Sequence, residues 1–214
     1  MLIMHIVKSI DQEIEKRSLL KHPFYQMWSE GKLGIESLQG YAKEYFHLVK
    51  AVPSIVERIA AQSDNDDIML NLQEEREHIE PWVKFAAALG VRRQELERYE
   101  VAQKTRDSVN KLLDLASTFD EGVAAMYAYE AEIPKISRTK LDGLAKYYNI
   151  TSKDATEYQR IHASVDVKHA AVWRSILEQL PSGRYEDVFN ASVSSLITQN
   201  MLLDAVYEKY VSCM

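Results

Sequence analysis

Along most of the 214 residues, apolar side chains recur at steps of three and four, the period of helices that bury one face. A first such stretch runs from about Ile3 to Leu20. "KHPFYQMWSEGKL" follows as a short helix, opened by Pro23 and closed at Gly31. Residues 34–62 read as one long helix in which Pro53 should produce a kink. Residues 64–90, "DNDDIMLNLQEEREHIEPWVKFAAALG", start with acidic side chains and finish at Gly90, both boundary signals. A short charged segment precedes a helix near Arg106–Ser117. Residues 119–149 form another long helix, interrupted at Pro134. Residues 151–180 begin with a Ser/Thr cap and stop before Pro181, and a last helix fills Tyr185–Tyr210. The pattern predicts an all-α fold, a single bundle of seven to eight helices spanning residues 1–214.

Composition agrees with that reading. Glycine (7) and proline (5) are scarce, and there is no repeat, low-complexity segment or Gly/Ser linker. A net charge of -6 argues against nucleic acid as the main partner, because backbone binding needs a basic face. No stretch approaches the apolar length that spans a bilayer, and the N-terminal stretch lacks a signal-peptide pattern. The single cysteine, Cys213, allows no disulfide within the chain. These features suit a soluble cytoplasmic protein with neither a nucleic-acid nor a membrane partner.

Chemistry enters with "IHASVDVKHAAVWRSI", residues 161–176. His162, Asp166 and His169 fall at i, i+4 and i+7, which on one helix makes a narrow stripe of metal-ligand side chains. An ordinary polar stripe is the plainer alternative. Glu75 and His78 are three apart, the spacing used in carboxylate-bridged dimetal bundles, although such strings also occur on solvated helices. Glu130 follows seven uncharged residues, Val123 to Tyr129, and precedes Pro134 by four. A carboxylate buried there costs several kcal/mol unless it is paired or ligating. Otherwise it sits at the rim of an amphipathic helix. Together the three segments offer three carboxylates and three imidazoles, a set suited to two divalent metals with positions open to oxygen or water.

The motifs "HPFYQMWSEGKL", "LQGYAKEYFHLVKAVP", "HIEPWVKFAAALGV", "GVAAMYAYEAEIPKISRTKLDGL" and "HASVDVKHA", in this order, resemble the chlamydial protein associating with death domains and its bacterial relatives. These are haem-oxygenase-like dimetal oxidases, with the fold of thiaminase II and pyrroloquinoline quinone synthase. The resemblance covers nearly the whole chain. It implies a seven-helix bundle whose metal ligands are Glu75, His78, Glu130, His162, Asp166 and His169. Close relatives have about four more residues between the first glutamate and the first histidine. That deletion of slightly more than one turn leaves Glu74 and Glu75 as alternatives for the ligand, with Glu75 keeping "NLQEE" in register.

The resemblance also implies an oxygen-dependent synthesis of p-aminobenzoate, the folate precursor, in which a tyrosine of the protein supplies the ring and a lysine the amino nitrogen. The matching positions are Tyr25 and Lys140, with Tyr41 and Tyr129 matching further tyrosines of the family's core. Two divalent metals (Fe, or Mn with Fe), O₂ and an external reductant would be needed, and a homodimer is implied. Read from the residues alone, Tyr25 is a packing tyrosine and Lys140 a surface lysine beside Lys135 and Arg138. Alternatives are a dimetal oxidase with an external small-molecule substrate and a helical module that binds death domains. Thiaminase-like hydrolysis would need a cysteine nucleophile in the bundle, where Cys213 is badly placed.

Overall fold

A computed structural model describes residues 3–212, with side chains from residue 6 onward; Cys213 lies outside the described residues. These residues form twelve α-helices and two 3₁₀ turns and contain no strand. The helices are α1 (Ile3–Lys16), α2 (Pro23–Glu30), α3 (Ile35–Ala60), α4 (Asp66–Glu77), α5 (Ile79–Ala88), α6 (Arg93–Arg98), α7 (Gln103–Leu115), α8 (Phe119–Glu130), α9 (Ile133–Tyr147), α10 (Lys153–His162), α11 (Asp166–Leu177) and α12 (Tyr185–Tyr210).

The count exceeds seven to eight for two reasons. The charged segment after Gly90 holds a short helix of its own, α6. Three of the long helices are also each cut in two, and every cut falls beside candidate ligands. Between α4 and α5 the cut is at His78. Pro81 has no N–H for the Glu77 carbonyl, which removes one rung of the ladder there. Between α8 and α9 it is at residues 131–132, where Pro134 leaves the Glu130 carbonyl without its donor, as the sequence predicts.

The third cut corrects the one-helix stripe. His162 closes α10 and Asp166 opens α11. In between, the Ser164 hydroxyl donates to the Arg160 and Ile161 carbonyls at 3.3 and 3.1 Å, competing with the backbone. Val165 N–H still donates to Ile161 at 2.8 Å, so the chain stays near-helical and the three side chains keep a common direction.

Another boundary moves. The first helix stops at Lys16 rather than Leu20, because the Glu132 carboxylate takes both the Ser18 hydroxyl and the Leu19 N–H. Pro53 does not interrupt α3, which is continuous from 35 to 60. Gly31 closes α2 at φ 68°, a left-handed cap.

A contiguous apolar core runs through the bundle. Helix α8 is its axis. Every residue from Gly122 to Glu130 is buried, with α12 and α11 packed along it. Helix α10 lies on α5, and α2 lies on α9. That last contact is close. A Cβ on Gly143 would meet the Trp28 ring at 2.6 Å, so glycine lets Trp28 sit directly on α9. No helix among the described residues is long and apolar enough to cross a membrane.

Candidate metal centre

Each cut turns a helix end toward the same point. Glu75, His78, Glu130, His162, Asp166 and His169 are all 6 % exposed or less. Among the described residues they supply two groups with ligand atoms within 4.8 Å of one another: Glu75, His78 and His162, and Glu75, Asp166 and His169. Glu75 belongs to both. Its Oε2 is 3.3 Å from His78 Nδ1 and its Oε1 is 3.5 Å from His169 Nδ1. Glu130 Oε2 lies 3.9 Å from His169 Nδ1 and accepts from Trp173 Nε1 at 2.8 Å.

Glu74 and Glu75 take different places. Glu74 lies on the far side of His169, with Oε2 2.5 Å from Nε2, and its side chain is 37 % exposed. It fixes the ring so that Nδ1 faces the cluster. His162 is fixed in the same way. Its Nδ1 lies 2.8 Å from the Tyr158 carbonyl, leaving Nε2 for the cluster.

The fit to cations can be tested on buried polar atoms. His78 Nδ1, Glu130 Oε1, both Asp166 oxygens and His169 Nδ1 have no hydrogen-bond partner among the described residues. Buried polar atoms are nearly always paired, so five orphans on the candidate ligands fit a site that takes up positive charge. Electrostatics agree. Burial, reinforced by neighbouring carboxylates, raises Asp166 well above the usual carboxylate range. Burial does the same to Glu130, with His169 pulling the other way. Burial also works to raise Glu75, but the imidazoles of His169 and His78 beside it outweigh that and hold the group at about 2. Burial lowers His162 to about 3, keeping it neutral and able to ligate. His169 is raised to about 9, because Glu75, Glu130 and Glu74 outweigh its burial. Two divalent cations would relieve this crowding. We expect Fe(II) or Mn(II), at a thousandfold excess over Kd for each of two sites, to raise the Tm of the metal-free chain by about 20 °C. An unchanged Tm in a calorimetric scan would contradict the assignment.

The second cluster abuts the first. Tyr25, Tyr41 and Lys140 are 1, 0 and 3 % exposed, so Lys140 is not the surface lysine its basic neighbours suggest. Lys140 Nζ donates to Tyr41 Oη at 2.7 Å, and Tyr41 Oη is 3.1 Å from Tyr25 Oη. The amine also lies 5.5, 5.3 and 5.4 Å from the ring centres of Tyr25, Tyr41 and Tyr45. Trp28 Nε1 donates to the Lys140 carbonyl at 3.2 Å and pins the α9 backbone. Burial raises the phenols of Tyr25, Tyr41 and Tyr129 well above their ordinary value. It pushes Tyr45 up to about 12, with the Tyr129 hydroxyl pulling the other way.

Burial lowers Lys140 from 10.5 to about 7, with Asp166 pulling back only in part. The unfolded chain keeps that proton up to its ordinary pKa. Between pH 7 and 10.5 the unfolded state therefore binds more protons, stability rises with pH, and the gain is lost as pH falls toward 7. At pH 7 the cost is on the order of 4 kcal/mol. Lys140→Met should raise the Tm of the metal-free chain at pH 7 by about 5 °C, after the lost hydrogen bond to Tyr41 is allowed for. It should also flatten the rise above pH 7. A drop in Tm on thermal melting would refute this.

The sequence of the TENA/THI-4/PQQC family matches residues 9–179. The chain belongs to that family. It is 32 % identical to the 4-aminobenzoate synthase of Chlamydia muridarum over 98 % of this chain and 93 % of that protein. It is 30 % identical to the 4-aminobenzoate synthase of Nitrosomonas europaea, over 95 % and 91 %. Among solved structures, a TenA homologue from Pseudomonas syringae superposes with TM-score 0.84 at 16 % identity, covering 95 % of this chain and 93 % of that one. A domain of unknown function from Shewanella denitrificans, described as having a haem-oxygenase-like fold, gives 0.77 at 17 % identity over 98 % and 91 %. A CADD-like protein of unknown function from Nostoc punctiforme gives 0.75 at 16 % over 98 % and 99 %. The fold is thus the haem-oxygenase-like bundle that the sequence motifs imply.

Sequence reading missed the residues around both clusters. Tyr158 precedes His162 by one turn and stacks on it, with centroids 4.0 Å apart. Trp173 follows His169 by one turn and holds Glu130. Helical spacing from a candidate ligand is the signal that would have found them. Trp82 follows His78 by one turn and carried the same signal, whereas Tyr45 carried none.

Proposed function

We propose that this chain is an oxygen-dependent dimetal oxidase that makes p-aminobenzoate from its own Tyr25, with Lys140 as the amine donor. The carrying observation is the chain of three polar atoms, Lys140 Nζ, Tyr41 Oη and Tyr25 Oη, at 2.7 and 3.1 Å in a buried pocket. The name 4-aminobenzoate synthase borne by the relatives from Chlamydia muridarum and Nitrosomonas europaea supports the product. The six clustered side chains, Glu75, His78, Glu130, His162, Asp166 and His169, would hold the ions. A bound redox-active pair, Fe with Fe or Mn with Fe, supplies oxidising power from O₂ and an external reductant.

The remaining work falls to this chain. Making p-aminobenzoate from tyrosine requires a C–N bond in place of the C–O bond at the ring carbon that bears the hydroxyl, with the oxygen leaving as water and the nitrogen parting from Lys140 Cε. It also requires cleavage of Cα–Cβ in residue 25 and oxidation of Cβ to a carboxylate. Lys140, brought to about 7 by burial, is substantially neutral at physiological pH and offers a lone pair. Tyr41 bridges amine and phenol and can pass a proton between them. Phe24, Trp28 and Tyr45 close the pocket against water. Because the ring leaves the polypeptide, each chain acts once.

The test loads the chain anaerobically with Fe(II), with and without Mn(II), adds reductant, admits O₂ and supplies no other substrate. Product should not exceed one molecule per chain. Yield above that would favour a second reading, an external small-molecule substrate. One observation speaks for it: a cleft of about 350 Å³, lined by Tyr127, Pro134, Lys135, Arg138 and Arg174, reaches the cluster at Asp166.

A further inference from the structure

We propose that the cleft beside Asp166 is the docking site of the electron donor, a free reduced flavin nucleotide whose ring lies on α11 with its phosphate against Lys135 and Arg138. The inference rests on the proposed function and names its reductant.

Val167, Ala170, Ala171 and Arg174 fall at i, i+3, i+4 and i+7 and share one face of α11. The small side chains of Ala170 and Ala171 leave a hollow that larger ones would fill. Pro134, Lys135 and Arg138 of α9 form the facing wall, and the space holds about 350 Å³. Pockets of about 300–1,000 Å³ take single small molecules, so this one suits a free ligand and not a protein domain. Its floor is apolar and open to solvent, with Val167 55 % exposed.

The rim is cationic. Arg174 is committed to Glu178 and Asp11, at 3.0 and 3.5 Å. Arg138 donates to the Ala163 carbonyl at 3.2 Å, and among the described residues neither it nor Lys135 forms an ion pair. In a chain of net charge -6, two such cations at the mouth of one cleft favour an anion. Asp166 stands at the inner end, 1 % exposed and with both oxygens unpartnered. A ring on the floor of the cleft therefore has one candidate ligand between itself and the ions.

The chemistry selects the occupant. The proposed reaction takes its ring from Tyr25 and its nitrogen from Lys140. Besides water, it draws metal ions, O₂ and electrons from outside. A cationic rim repels metal ions and has no hold on neutral O₂, but it attracts an anionic donor. A planar donor also covers the apolar floor, and a phosphate suits the fork of Arg138. A dihydroflavin with a phosphate tail meets all three conditions. In each transfer one electron leaves the dihydroflavin by way of Asp166 for the ions, and one proton leaves it for water at the cleft mouth. Two transfers oxidise dihydroflavin to flavin and deliver two electrons.

The experiment compares the full parent chain with Ala171→Leu and with Lys135→Gln combined with Arg138→Gln. None of the three is a candidate ligand, and metal content and Tm are measured first. Binding of flavin mononucleotide to the metal-free chain is read by fluorescence anisotropy, with riboflavin, which lacks the phosphate, as control. Chains loaded with Fe(II) and Mn(II) and exposed to O₂ are then mixed anaerobically with dihydroflavin mononucleotide, and flavin formation is followed by absorbance. Uncharged dithiothreitol serves as a second donor. The double variant should bind flavin mononucleotide about tenfold more weakly or worse and riboflavin within about twofold of the parent. Ala171→Leu should weaken both by about tenfold or more. Flavin formation should slow in step with binding, while reduction by dithiothreitol stays at the parental rate. No flavin binding to the parent overturns the assignment, and so do parental binding and flavin formation in every variant. Product above one per chain that Ala171→Leu abolishes would give the cleft to an external substrate and overturn it too. Saturable flavin formation in the parent without release of p-aminobenzoate would remove the product reading and leave the donor site standing.

Discussion

Replacing Glu75 by glutamine is expected to cost the protein both metal ions at once. Glu75 alone is common to the two ligand groups, facing His78 with one oxygen and His169 with the other. Glutamine keeps the shape but replaces a charged oxygen with an amide nitrogen, which donates where a cation needs an acceptor. It also lowers the site's negative charge, with no other residue placed to serve both groups. Losing a group that merely orients a ligand weakens metal binding 10- to 100-fold, so losing the shared ligand should weaken both sites by more than about 100-fold. Metal analysis after gel filtration checks this: Glu75→Gln should emerge nearly metal-free. His78→Ala, which touches one group, should retain part of its metal. Full occupancy in Glu75→Gln would show that Glu75 does not hold the pair together.

Tyr25→Phe should abolish p-aminobenzoate while sparing the metals. The substitution removes one oxygen, the one 3.1 Å from Tyr41, and leaves the ring in contact with Phe24 and Trp28. Losing one neutral hydrogen bond should cost about 1 kcal/mol, so the fold and the ligand cluster should persist. Product should fall below detection, because no hydroxyl-bearing ring carbon remains for the Lys140 amine. In the parent, mass spectrometry should find the Tyr25 peptide without its ring and the Lys140 peptide altered. Parental yield from Tyr25→Phe would end the self-sacrifice reading, whatever the metal content.

The sequence made the helical class, Gly31, Pro134 and the bounds of α12 legible because each depends on local chemistry. Spacing of apolar residues sets which faces can be buried, and a proline removes its own N–H wherever the chain goes. The candidate cluster was legible for a related reason: carboxylates and imidazoles in apolar surroundings are costly unless used. Glu130, after seven uncharged residues, is the clearest case. The cuts at His78 and at residues 163–165 were less visible. Pro81 could have flagged the first. The second turns on the Ser164 hydroxyl taking backbone carbonyls, a competition whose outcome depends on packing around it.

By itself, then, the amino-acid sequence determined an all-α chain, its main punctuation and the kinds of side chain available for chemistry. Tertiary structure alone decided which of those side chains meet. Glu74 and Glu75 are neighbours in sequence, yet one enters the cluster and the other braces His169 from outside. Lys140 sits in a basic run, yet α9 turns it inward under Trp28 to an amine 2.7 Å from Tyr41, 99 residues away in sequence. Burial and proximity arise from how helices pack, and they govern whether a carboxylate holds its proton, whether an amine is neutral and whether aromatic rings touch. No window of local sequence contains that information, because the contacts that bring the two clusters together join residues from different helices.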